Sequence, residues 1–151
     1  MAIKPRRIKA NTTTDYLGSW QVMNESGADI AKGKLVQVSG VNSSGAFLLV
    51  KLLDVGPTTA ALVDAPKFVA GMSIPNGGNG SVRENYIVTG VDTSTAAAVG
   101  SPVYASLNAA AGGWQVAPPG SGTPTKVGIV LKRDATAGVV LLAPQARVGA
   151  A

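Results

Sequence analysis

The stretch Ala31–Phe47, AKGKLVQVSGVNSSGAF, returns without a gap as Ala98–Trp114, AVGSPVYASLNAAAGGW. Six positions keep their character: Ala31/Ala98, Gly33/Gly100, Val36/Val103, Ser39/Ser106, Gly45/Gly112 and the aromatic pair Phe47/Trp114. Each copy reads as a turn glycine, a short apolar strand and a polar loop, then a glycine and an aromatic that open the next strand. One hairpin unit used twice in 151 residues predicts an all-β protein. The repeated residues are types that bend backbone or fill a core, so they direct attention away from chemistry.

Working outward, Tyr16–Met23 reads as a first strand with Tyr16, Trp20 and Val22 on one face. Lys34–Ser39 alternates, placing Val36 and Val38 together. Further strands are expected at Ala46–Leu53, Thr59–Val63, Lys67–Ile74, Ser81–Val88, Pro102–Leu107, Gly113–Ala117, Lys126–Lys132 and Gly138–Ala143. Asn76-Gly77-Gly78-Asn79-Gly80 is the strongest turn signal, because Asn and Gly tolerate positive φ. Asp92–Val99 has room for one helical turn. The later parts of the copies also correspond, more loosely. Val69-Ala70-Gly71 and Gly80-Ser81-Val82 in the first match Val127-Gly128-Ile129 and Gly138-Val139-Val140 in the second. The spacing predicts a small barrel or sandwich of about ten short strands with a pseudo-duplicated hairpin unit. Its organisation is an extended basic N-terminal arm at 1–19, a β-body at 20–143 and a C-terminal tail at 144–151.

Composition agrees. The chain is 46% hydrophobic but only 14% charged, with 19 Gly and 9 Pro, which suits short strands, tight turns and surfaces covered by another subunit. Disorder needs the opposite balance. With no cysteine, disulfides, thiolate catalysis and Cys-ligated metals are excluded; with no histidine, the commonest metal ligand and the neutral-pH proton carrier are missing. The opening MAIKPRRIKANTTT is basic without the apolar stretch of a signal peptide, and no apolar run approaches the roughly 20 residues of a membrane helix. A soluble protein made in a cytoplasm is expected.

The formal charge of +5 comes from 13 basic and 8 acidic residues. Setting aside Lys4, Arg6, Arg7 and Lys9 leaves 9 against 8, so the basicity belongs to the arm and the body is close to neutral. Two readings of the arm stand side by side: a solubilising tail, or a strap that orders on a partner surface. Four charges give only weak, salt-dependent phosphate binding, and no aromatic lies among them to stack on bases. An acidic groove on a protein fits at least as well. Ile3, Lys4, Arg6, Arg7, Ile8, Lys9, Tyr16 and Trp20 are therefore the candidate partner-interface residues. Trp20 is either an anchor, at an interface or as a lid on the core, or an ordinary core residue, and Phe47 and Trp114 read as core.

Nothing marks an enzyme. The carboxylates are scattered, Asn76–Gly80 lacks the Gly-Lys-Ser/Thr ending of a phosphate loop, and Glu25 with Asp29 reads as a pair of turn charges more readily than a cation site. No catalytic, cofactor-binding or metal-binding residue is predicted, and no cofactor. Asn11-Thr12-Thr13, Asn24-Glu25-Ser26 and Asn42-Ser43-Ser44 match the glycosylation pattern but read as loop chemistry without a secretion signal.

The C-terminal half resembles a family of tailed bacteriophages. Its motifs are Ala98-Val99-Gly100-Ser101-Pro102-Val103-Tyr104, Gly112-Gly113-Trp114, Lys126-Val127-Gly128-Ile129-Val130-Leu131 and Gly138-Val139-Val140-Leu141-Leu142. They are similar to those of the small β-barrel capsid decoration, or cement, proteins, over residues 60–143 and more loosely over 28–55. The resemblance implies a structural virion protein on the outer capsid surface. It would clamp neighbouring major capsid subunits as an oligomer; apolar strand edges and low surface charge favour a homo-trimer over a dimer, and neither a membrane nor nucleic acid is expected as a partner. The alternatives are a single-stranded nucleic-acid-binding barrel, which would need a face joining Lys or Arg to exposed aromatics, or another minor virion component such as a tail or head-fibre protein.

Overall fold

The computed structural model describes residues 19–54, 65–106, 111–120 and 124–145. Ten strands run through them: β1 (Ser19–Asn24), β2 (Leu35–Val41), β3 (Leu48–Leu52), β4 (Lys67–Ala70), β5 (Asn79–Arg83), β6 (Tyr86–Val91), β7 (Pro102–Ala105), β8 (Trp114–Gln115), β9 (Lys126–Lys132) and β10 (Gly138–Leu142). They form two five-stranded sheets, and the described residues contain no helix.

The first sheet closes into a barrel in the order β1-β3-β2-β4-β5, with β5 returning to β1. Closure is made by one parallel pairing, Val22↔Leu48 through Asn24↔Val50, while the other ladders are antiparallel. The second sheet runs β6-β10-β9-β7-β8 and stays open as a curled half-barrel. Followed around the ring from β1, the barrel reads β1-β5-β4-β2-β3, so the two sheets have the same order strand for strand. The offset that carries Ala31 to Ala98 also carries both ends of β1 onto both ends of β6, and the start of β2 onto the start of β7. It is smaller by the fourth and fifth strands, where Lys67 corresponds to Lys126 and Asn79 to Gly138, because the second copy is shorter between its third and fourth strands. The sequence repeat is thus the opening part of a five-strand unit.

The two copies are joined by side chains from the barrel's outer wall. Val22, Ile30, Val36, Val50, Phe68, Ala70, Ile74 and Val82 fill the barrel. The second cluster gathers Val103, Ala105, Val127, Val130, Val140 and Leu142 of the half-barrel around Leu35, Leu53 and Val69 of the barrel. β2 is therefore buried on both faces: Val36 points into the barrel, and Leu35 points toward the half-barrel. Gln37 is fully buried beside them, on the same side of the strand as Leu35.

At the junction, three residues close a ring of backbone hydrogen bonds. Leu35 N–H donates to Gly112 O (2.8 Å), Gly112 N–H to Leu53 O (2.8 Å), and Leu53 N–H to Leu35 O (2.9 Å). Gly112 has φ +74°, and a Cβ there would stand 2.6 Å from Leu52 Cδ2 and 3.0 Å from Leu35 O. Its counterpart Gly45 has φ +69° with nothing within 4 Å of a Cβ. The repeat keeps glycine at both places for backbone shape, but only the second copy uses the missing side chain to dock.

Several sequence expectations need correction. Ser81–Val88 is two strands: the polar pair Glu84-Asn85 breaks it where the chain leaves the barrel for the other sheet. Lys67–Ile74 ends as a strand at Ala70, and Ile74 pairs alone with Ile30 in an isolated bridge. Asp92–Val99 is a series of turns and bends. Thr93 N–H donates to Asp134 O (2.9 Å) and Thr93 Oγ1 to Lys132 O (2.8 Å), which ties that loop to the β9–β10 connection. Phe47 is half-buried and lies outside both core clusters, whereas Trp114 packs against the second one. The expected strand Thr59–Val63 lies outside the described residues.

The paired glycines give a test. Gly45→Ala should cost only the left-handed backbone term, about 1–2 kcal/mol. Gly112→Ala should add an overpacking cost of about 1–3 kcal/mol, because Leu35 O cannot move without breaking the ring. Urea unfolding of the two variants should show Gly112→Ala markedly the less stable.

Candidate interaction surfaces

Among the described residues, no group of three or more Asp or Glu side chains is placed to hold a metal ion, and no helix is long and apolar enough to cross a membrane. Asp29, Asp92 and Asp134 instead accept hydrogen bonds from backbone amides of turns. Asp29 Oδ1 accepts from Asn76 N–H (2.8 Å), and Asn76 Oδ1 accepts from Gly27 N–H (2.9 Å). This joins the 25–30 turn to the turn between β4 and β5. Beneath them Asn24 is fully buried and fully used: Nδ2 donates to Ala28 O and Ile74 O, and Oδ1 accepts from Ser26 N–H and Oγ–H. One end of the barrel is sealed by this network. Ser26 lies in the turn, as its loop reading expected, whereas Asn24 is the buried last residue of β1 and only its side chain joins that turn.

At the other end of β1 stands Trp20, on the side of the strand that carries Val22 into the barrel. Its ring centre is 6.2 Å from that of Phe68 at a 50° tilt, and it remains 48% exposed. An indole left half-exposed over a buried phenylalanine acts as a lid on the barrel mouth. The other candidate interface residues, Ile3, Lys4, Arg6, Arg7, Ile8, Lys9 and Tyr16, lie outside the described residues.

Two surfaces escaped the sequence reading. The first is the outer face of the half-barrel. Tyr86, Val88, Val140 and Leu142 pack inward on the second core cluster, so their neighbours point outward. The ladders place Ile87 opposite Leu141, Leu141 opposite Ile129, and Ile129 opposite Pro102. An apolar row therefore crosses four strands on the outside, with Ile87 59% exposed and Leu131 beside it 40% exposed. Continuous apolar runs such as Gly138-Val139-Val140-Leu141-Leu142 were the available signal: an antiparallel strand covered on one face alternates, and one that does not alternate has apolar surface on both.

The second is a cleft of about 390 Å³ between the two edge strands of the half-barrel. Tyr86 and Val88 of β6 form one wall, Gly112, Gly113 and Trp114 the other, and Lys32, Gly33 and Lys34 of the barrel rim close it. Both lysines are exposed, and the aromatic walls are half-buried. Folding alone brings these residues together, since they come from three separate stretches of chain.

Comparison with known proteins found no matching family model, no matching curated protein and no matching solved structure.

The β9–β10 turn gives an electrostatic test. Hydrogen bonds from the Thr136 and Ala137 amides hold the Asp134 carboxyl down at about 2 against an ordinary 3.8. A depressed folded value contributes stability that is present above the ordinary value and is lost as pH falls through the folded one. Asp134→Asn should therefore lower the melting temperature at pH 5 and above. The difference from the parent should shrink from about pH 5, be mostly lost by about pH 2 and vanish near pH 1 in melts across that range.

Proposed function

We propose that this chain is a capsid decoration protein of a tailed bacteriophage, binding the outer surface of the head as a homo-oligomer and clamping neighbouring major capsid subunits. The observation that carries this reading is the apolar row Ile87-Leu141-Ile129-Pro102 on the outside of the half-barrel. A sheet already packed on one face gains nothing from a second apolar face unless another surface covers it. The near-neutral body and the absence of histidine and cysteine suit a protein that works by burying area. The motif resemblance supplies the virion setting. The basic arm would then serve as a strap on the capsid, its charges supplemented by backbone pairing and burial, since exposed ion pairs return only about 0–1 kcal/mol each.

The nucleic-acid alternative has one observation in its favour: the cleft joins Lys32 and Lys34 to Tyr86 and Trp114. Two cations supply few phosphate contacts, with a logarithmic salt slope of only about −1.4 on single strands. The decoration reading is therefore preferred.

The free protein should sediment as an oligomer, a trimer by preference, and should co-purify with expanded heads. Ile87→Asp/Leu131→Asp, at two exposed positions, should keep its circular dichroism while shifting toward monomer and losing most head binding. Deleting residues 2–15 should leave the body folded and weaken head attachment. No saturable binding of oligo(dT) is expected at about 0.15 M salt. Unchanged assembly and head binding in the double variant would refute the surface assigned here, and tight oligo(dT) binding would promote the alternative.

A further inference from the structure

Among the described residues, the strand pairings of the two five-strand units differ at one seam. In the barrel, β1 lies parallel to β3, with Val22, Met23 and Asn24 opposite Leu48, Leu49 and Val50. Carried into the second unit by the offset that takes β1 onto β6, the same pairing would set Thr89, Gly90 and Val91 opposite Gln115, Val116 and Ala117. Among the described residues it is not made: there β6 pairs only with β10, β8 pairs only with β7, and β8 ends at Gln115. Two sheet edges therefore border the cleft of about 390 Å³ described above. An unsatisfied sheet edge is a template for another strand.

We propose that this seam binds an extended, acidic polypeptide segment by β-strand addition, completing the half-barrel as the β1·β3 pairing completes the barrel. The inference does not depend on the capsid reading. The occupant follows from what the seam offers. Sheet edges present alternating backbone donors and acceptors, which only a polypeptide matches along its length. The walls, Tyr86, Val88 and Trp114, accept apolar side chains, while the rim carries Lys32 and Lys34. Side chains of an added strand alternate between faces. An alternation of aliphatic and acidic residues would thus set one series against the aromatic wall and leave carboxylates within reach of the lysines. The chain's own basic arm, with Lys4, Arg6, Arg7 and Lys9, has the wrong charge for this rim. A nucleic acid would meet the lysines and rings but has no ladder to offer the edges.

The test uses the full chain carrying Trp20→Phe, which leaves Trp114 as the sole tryptophan and a reporter inside the cleft. The probe is a synthetic octapeptide alternating valine with aspartate or glutamate. Three controls accompany it: the same peptide with lysine at the acidic positions, the same peptide N-methylated at alternate amides, and oligo(dT). The acidic peptide should shift Trp114 emission to the blue in a saturable manner. The N-methylated form, which keeps every side chain but can pair along one edge only and so cannot bridge the seam, should bind at least about tenfold more weakly. Lys32→Glu/Lys34→Glu should exchange the preference, binding the lysine peptide over the acidic one. Polarisation of the fluorescein-labelled peptide on the unaltered chain should give the same order of affinities. The proposal is overturned if the acidic peptide does not bind, if N-methylation makes no difference, or if oligo(dT) binds the cleft more tightly than the peptide.

Discussion

The ring of hydrogen bonds among Leu35, Leu53 and Gly112 is the contact on which the architecture depends. All three residues are buried, so each donor or acceptor left unpaired would cost about 1–3 kcal/mol. The ring satisfies them by passing the chain of one unit into hydrogen-bonding distance of a strand of the other. Close approach of that kind leaves no room for a side chain at residue 112. It also explains why β2 is apolar on both sides: Val36 belongs to the barrel interior, while Leu35 belongs to the packing between the sheets.

From this constraint the division of labour between the copies follows. The first unit closes on itself, seals one end with the Asn24 network and leaves its outer wall for docking. The second lays its inner face on that wall and keeps its outer face and one seam for other surfaces. Its apolar outer row sits on β6, β10, β9 and β7, four strands whose inner side chains help hold it to the barrel. Attachment and recognition are thus carried by opposite faces of one sheet.

Much of the fold could be read from the residues. Gly33, Gly45, Gly100 and Gly112 all adopt positive φ, as turn glycines should, and the hairpins they open begin where the repeat placed them. The correspondence of the later strands was visible one residue out of register: the repeat sets Gly80 against Gly138, whereas the strand starts set Asn79 there. What the reading missed depended on which strand joins which. Ser81–Val88 shows no change of sheet along its length, since Glu84-Asn85 is too short a polar break to mark one without the pairings. Trp20 could be placed near a core but not over Phe68, which belongs to a strand far along the chain. The cleft was invisible for the same reason: Lys32, Tyr86 and Trp114 carry no common motif, and only the failure of β6 to meet β8 makes them neighbours. The apolar row had a local signal in its unbroken valines and leucines, but its register across four strands did not.

The difference in closure also sets an order of dependence along the chain. Every ladder of the barrel is made by residues 19–83, so the ribosome has delivered the whole ring before the first residue of the half-barrel emerges. The reverse does not hold, since the core of the half-barrel borrows Leu35, Leu53 and Val69 from the ring. During synthesis the later unit thus meets a template whose parts are already present, and vectorial translation favours the sequence of events that the packing requires.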